Sequence, residues 1–192
     1  MKKIILSVFL FLGLIPIAVF ADDEASNSPV VRASEYGRSY AKSLPAESYG
    51  DKGKTLIYGV RTGTDVLFVE YPWYSYEIYL GGAGDGTVVR FGTGRRGRVS
   101  RSEDVAIGFY SGTKVLREYS TADLEKMGSG ISTSLSHYWV FGKRLGFRWQ
   151  GGNKYVYEVN GASGKKFTFD LDTGELSKDP DLTSDGRPLP KN

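Results

Sequence analysis

Apolar and polar positions along residues 54–171 alternate with a period of two far more often than 3.6, which predicts strands rather than helices. The runs Lys54–Val60, Asp65–Tyr71, Thr87–Phe91, Asp104–Tyr110, Lys114–Tyr119, Arg144–Trp149, Lys154–Val159 and Lys166–Leu171 are short, rich in aromatic and β-branched residues, and bounded by turn formers. Tight polar connections separate several of them: Arg61–Thr64, Ser111–Thr113, Gly151–Asn153 and Asn160–Gly164. Such links suit hairpins, so consecutive strands are expected to be antiparallel neighbours. The pattern predicts an all-β chain of three antiparallel meanders, about residues 36–80, 87–120 and 138–176, compatible with a sandwich, an open barrel or propeller-like blades.

Helical signals are confined to one region. Ser120 offers an N-cap hydroxyl, Asp123 an acid three residues on, and Gly128 a stop, which predicts a helix over Thr121–Met127. A second helical turn is expected around Ser132–Ser136.

The two ends of the chain differ from this body. Lys2 and Lys3 precede an apolar run from Ile4 to Phe20, then Ala21 and the acids Asp22, Asp23 and Glu24, which is the order of a secretory signal peptide cut after Ala21. The chain is therefore expected to be exported, periplasmic or secreted, with residues 1–21 removed and no membrane span left afterwards. Residues 22–34 read as a flexible lead-in, 35–176 as a single domain and 177–192, with three prolines, as a polar tail. Cysteine is absent, so a mature chain of about 170 residues must be held by its core alone. Removing Lys2 and Lys3 from the 25 basic residues leaves 23 against 22 acidic ones, a balance that gives no electrostatic footprint for nucleic acid.

Candidate chemistry is sparse. Gly92–Gly97 matches GxGxxG, but a strand follows where a dinucleotide site needs a helix N-terminus. The same stretch gathers Arg90, Arg95, Arg96, Arg98 and Arg101, a set able to hold a phosphate, sulfate or acidic sugar, or else to pair with acids such as Glu103 and Asp104 in a solvated turn. Gly53-Lys54-Thr55 lacks the leading glycine of a P-loop, its place being taken by Ser48. Tyr71, Trp73, Tyr74, Tyr76 and Tyr79 crowd into nine residues; exposed, they would form a stacking platform, and buried, they would be core. Asp170–Glu175 resembles the opening of a calcium loop but lacks the distal glutamate, and a turn after a strand explains it equally. His137 is the single histidine, so no multi-histidine metal site exists, and neither Ser134 nor Ser136 beside it carries a nucleophile-elbow motif.

Tyr119-Ser120-Thr121 with Asp123-Leu124, Ser134–Tyr138 with Phe141, Gly146–Trp149 and Phe167–Leu171 before Thr173-Gly174 carry a further likeness. In these segments, and in Tyr79-Leu80, Val89–Gly92 and Ala106–Tyr110, the chain resembles a loose group of exported bacterial β-rich proteins. The resemblance implies export and a β-rich fold, and assigns no activity and no site residues. The leading expectation is a non-enzymatic binding protein of the cell envelope that takes a partner protein or a glycan, without cofactor or metal. Its candidate ligand contacts are Trp73, Tyr74, Tyr76, Arg90, Arg95, Arg96 and Arg98. The alternatives are a hydrolase of cell-wall or environmental polymers, which needs two carboxylates converging in a cleft, and a structural protein with a flat apolar face.

Overall fold

The computed structural model describes residues 26–81, 86–92, 103–133, 138–150 and 154–177. The expected signal peptide, the arginines at 95, 96, 98 and 101, His137 and the tail beyond 177 lie outside the described residues.

The chain is all-β, built from antiparallel meanders. The first sheet takes β1 (Val30–Ala33), β2 (Ser39–Pro45), β3 (Gly53–Gly59) and β4 (Val66–Tyr71) in chain order. The second takes β5 (Ile78–Leu80), β6 (Thr87–Phe91), β7 (Val105–Ser111) and β8 (Lys114–Ser120), again in order. After helix α1 (Thr121–Lys126) comes a two-stranded ribbon of β9 (Ser132–Thr133) and β10 (Tyr138–Trp139). The third sheet is β11 (Phe141–Trp149), β12 (Tyr155–Gly161) and β13 (Lys166–Asp170). Among the described residues the sheets do not close into a barrel, and the arrangement is sandwich-like.

Three features of this layout depart from the sequence expectation. Val30–Ala33, expected to belong to the lead-in, is a strand: Val30 pairs with Ser43 and Ala33 with Tyr40. Ile78–Leu80 pairs with Arg90–Val88, so it opens the second meander instead of ending the first. The helical turn expected around Ser132–Ser136 is also replaced, over Ser132–Thr133, by the ribbon strand that faces Trp139 and Tyr138.

The second sheet is the middle layer. One apolar cluster joins Ala41, Ile57, Val69 and Tyr71 of the first sheet to Ile78, Leu80, Val88 and Tyr110 of the second. Another joins Val89, Phe91, Ile107, Phe109 and Tyr119 of the second sheet to Phe141, Tyr157, Val159, Phe167 and Phe169 of the third, with Leu124 of α1. The alternation of side chains along a strand makes this possible, since Val88 faces one neighbour and Val89 the other. Every residue of β6 is consequently buried, which is why Thr87–Phe91 carries a nearly continuous apolar run. Aromatic contacts dominate the second interface, with Phe109 and Phe169 at 4.9 Å and Phe91 and Phe141 at 5.1 Å between ring centroids.

Helix α1 forms where the capping signals place it. Ser120 Oγ accepts from the Asp123 amide, and the Asp123 carboxylate accepts from the Ser120 amide at 3.0 Å. The Ser120 amide and hydroxyl, both donating to it, hold the Asp123 carboxyl below its ordinary range.

Candidate ligand groove

The aromatic-rich segment 71–79 is divided between core and surface. Trp73 and Tyr74 are buried, Tyr74 completely, while Tyr76 is exposed. Trp73 stacks on Tyr71 at 4.9 Å, and the Tyr74 hydroxyl donates to the Ser28 carbonyl at 2.9 Å. A solvent-facing platform of Trp73, Tyr74 and Tyr76 therefore does not form, because the first two rings are buried, Trp73 in the apolar cluster between the first and second sheets.

Arg90 is interior as well. Its place in β6 turns it toward the first sheet, where its Nη2 donates to Asp51 Oδ2 at 2.9 Å and its guanidinium lies 4.6 Å from the Trp73 ring. Glu118 of β8 approaches its Nη1 to 3.8 Å and accepts a short hydrogen bond from the Tyr110 hydroxyl. Only 4% of the Arg90 side chain is accessible, so it joins layers and does not present itself to an anion. The expected arginine set is thus represented, within the described residues, by a residue that is already engaged.

Two other sequence candidates resolve structurally. Gly92 sits where β6 runs against β7: its amide donates to the Ala106 carbonyl, and a Cβ there would lie 1.7 Å from the Val105 oxygen. This contact accounts for the first glycine of the GxGxxG match without a nucleotide. In the Asp170–Glu175 turn, Asp170 Oδ1 accepts from the amides of Asp172 and Thr173, and Lys154 approaches its other oxygen to 3.3 Å. Asp170 is committed to its own turn, and no group of metal-ligating side chains occurs among the described residues.

The best-formed concavity arises at one end of the third sheet. On its inner face, β11 places Phe147 and Trp149 two residues apart, and the antiparallel register sets Tyr157 opposite Phe147 and Tyr155 opposite Trp149. Phe147 and Tyr157 are in edge contact at 5.2 Å, and Tyr79 of β5 packs on Tyr157 at 5.6 Å. The second sheet covers the row only that far. Trp149 and Tyr155, one pair further along, remain 48% and 52% exposed. A cavity of about 400 Å³ opens beside them. Its opposite wall is the end of the second sheet, Gly81 and Thr87, and its lip is Glu35-Tyr36 from the turn between β1 and β2. Tyr36 is 68% exposed, so three rings, Tyr36, Trp149 and Tyr155, border one opening. Asp172, just beyond β13, adds a second carboxylate to that of Glu35.

A second cavity of about 630 Å³ adjoins the first, sharing Glu35 and Phe147 in its lining. Its walls include Arg32, Tyr76, Ile78–Leu80 and Leu145–Phe147. Arg144, in the bulged part of β11, grips Glu77 at this boundary with Nε at 2.7 Å and Nη2 at 2.5 Å from the two carboxylate oxygens, over the face of Phe91. That forked pair ties the third sheet to the strand entering the second. Burial, together with the hydrogen bond to Glu77, pushes the Tyr79 hydroxyl beside it up to about 12. Tyr76 is thus the expected ligand contact that does reach the groove, in the company of Tyr36, Trp149 and Tyr155, which sequence reasoning passed over.

A third hollow of about 50 Å³, between Phe91, Tyr138 and Phe141, has room for little more than solvent. Compared with family models, curated proteins and solved structures, the chain matches none.

Proposed function

We propose that the protein is an exported, non-catalytic binding protein that holds a glycan in the groove between its second and third sheets. The observation that carries this reading is the convergence of three exposed rings, Tyr36, Trp149 and Tyr155, on one cavity of about 400 Å³. Sugar rings present C–H faces that pack on aromatic faces, while their hydroxyls need polar partners at the rim, here Glu35, Asp172 and the Tyr36 and Tyr155 hydroxyls. A cavity of this size lies within the range of small-ligand sites, and the adjoining cavity that shares Glu35 and Phe147 adds room for a chain of more than one sugar.

The test is a panel of soluble oligosaccharides titrated into the chain lacking residues 1–21, read by tryptophan fluorescence and calorimetry. Trp149→Ala and Tyr155→Ala are expected to weaken binding by about tenfold each. Neither should lower the melting temperature much, both rings being half in water. A panel without any binder, or variants that bind as the parent does, would defeat the reading. Glu35 and Asp172 lining the same cavity give the hydrolase alternative its one specific support, and release of new reducing ends in these mixtures would decide for it.

A further inference from the structure

We infer that the glycan carries free amines, so that the groove selects a cationic amino sugar over its neutral N-acetylated form. This rests on the glycan reading above and adds the charge of the ligand to it.

The cavity beside Trp149 is bordered by two carboxylates, Glu35 and Asp172, and a single cation, Arg148. Arg148 does not balance them. Alternation along β11 turns its side chain to the sheet face opposite Phe147 and Trp149, where Nη2 meets Glu158 Oε1 at 2.7 Å. Lys154, at the start of β12, is likewise drawn to Asp170 at 3.3 Å. In the neighbouring cavity Glu77 is neutralised by Arg144 and Arg32 adds a cation, so the uncompensated negative charge belongs to the cavity beside Trp149. The opening therefore presents two negative charges together with the faces of Tyr36, Trp149 and Tyr155. Ring faces carry a negative quadrupole and attract ammonium groups, so the carboxylates and the aromatics favour the same ligand charge. An acidic sugar would meet repulsion from both carboxylates. A neutral acetamido sugar would gain the stacking and the rim hydrogen bonds without the charge attraction.

The experiment compares glucosamine oligomers with N-acetylglucosamine oligomers of equal length, titrated into the mature chain and into Glu35→Gln, Asp172→Asn and the double variant. The free-amine series is expected to bind about tenfold more tightly at low ionic strength, with the margin shrinking as salt is added. The double variant should reduce that preference to about twofold, weakening the free-amine series far more than the acetylated one, at the parent's melting temperature. Equal binding of the two series, or a preference that survives in the double variant, overturns the inference and leaves the glycan reading standing. Failure of both series to bind removes the glycan reading and the inference with it.

Discussion

Replacing Arg90 with alanine tests whether a buried ion pair holds the first and second sheets together. The guanidinium is almost wholly out of water, bonded to Asp51 at 2.9 Å, near Glu118 at 3.8 Å and stacked over Trp73. Its removal leaves a void beside Trp73 and takes the buried cation away from Asp51 and Glu118. Breaking one side of a buried pair costs about 3–5 kcal/mol. Here Asp51 and Glu118 keep 33% and 38% of their side chains exposed and can turn to solvent, so we take the low end, about 3 kcal/mol. For a domain of this size that corresponds to a fall in melting temperature of roughly 6–12 °C. Urea titration and thermal melts followed by circular dichroism measure it. A cycle with Asp51→Asn should show coupling of about 1 kcal/mol or more, since the residues share one hydrogen bond. A loss below about 1 kcal/mol would refute this reasoning. It would mean that the guanidinium is solvated in the folded chain and available to a ligand after all.

Two further outcomes follow from the same layers. Gly92→Ala should prevent stable folding, or lower stability by several times the loss expected for an ordinary surface change, because its Cβ would meet the Val105 carbonyl at 1.7 Å; soluble yield and urea midpoint report this. Alkaline titration should unfold the domain, since burial raises the Tyr71 and Tyr79 hydroxyls to about 12 against an unfolded value near 10. With the folded value the higher, their contribution is fully present below about pH 10 and is lost as pH climbs from there toward 12. Tyr71→Phe should flatten the dependence of the urea midpoint on pH over that window, and an unchanged slope would contradict it.

Much of the fold was legible because the strands obey the alternation that defines them. Eight of the expected runs coincide with β3, β4, β6, β7, β8, β11, β12 and β13, and the Ser120–Asp123 cap gave α1. What failed to show were strands whose apolar content is too low to stand out. β2, Ser-Tyr-Ala-Lys-Ser-Leu-Pro, buries small and polar residues, its Ser43 hydroxyl bonding to Thr55 at 2.9 Å and to the Ser75 amide at 3.0 Å. Such a strand is held by ladder and side-chain hydrogen bonds, which leave no hydrophobic period to read. β5 has three residues, and only its partner Val88–Arg90 defines its sheet.

The groove was harder to see for a different reason. Trp149 and Tyr155 stand in the same alternating register as Phe147 and Tyr157, and by pattern all four belong to one buried face. Their difference lies in the partner layer. Among the described residues the second sheet ends at Gly81 and Thr87, and its contact with the row reaches Tyr157 through Tyr79. Exposure of a core-patterned ring thus follows from the unequal lengths of two stacked sheets, a property of neither strand alone. The Trp73 and Tyr74 cluster errs in the opposite sense, since crowding in sequence suggested a surface and the layering buried it. In a three-layer β chain the useful question about an aromatic residue is therefore how far the facing sheet extends. By that criterion the ring row that outruns its cover, with Glu35 and Asp172 at its end, is where binding energy remains unspent after folding.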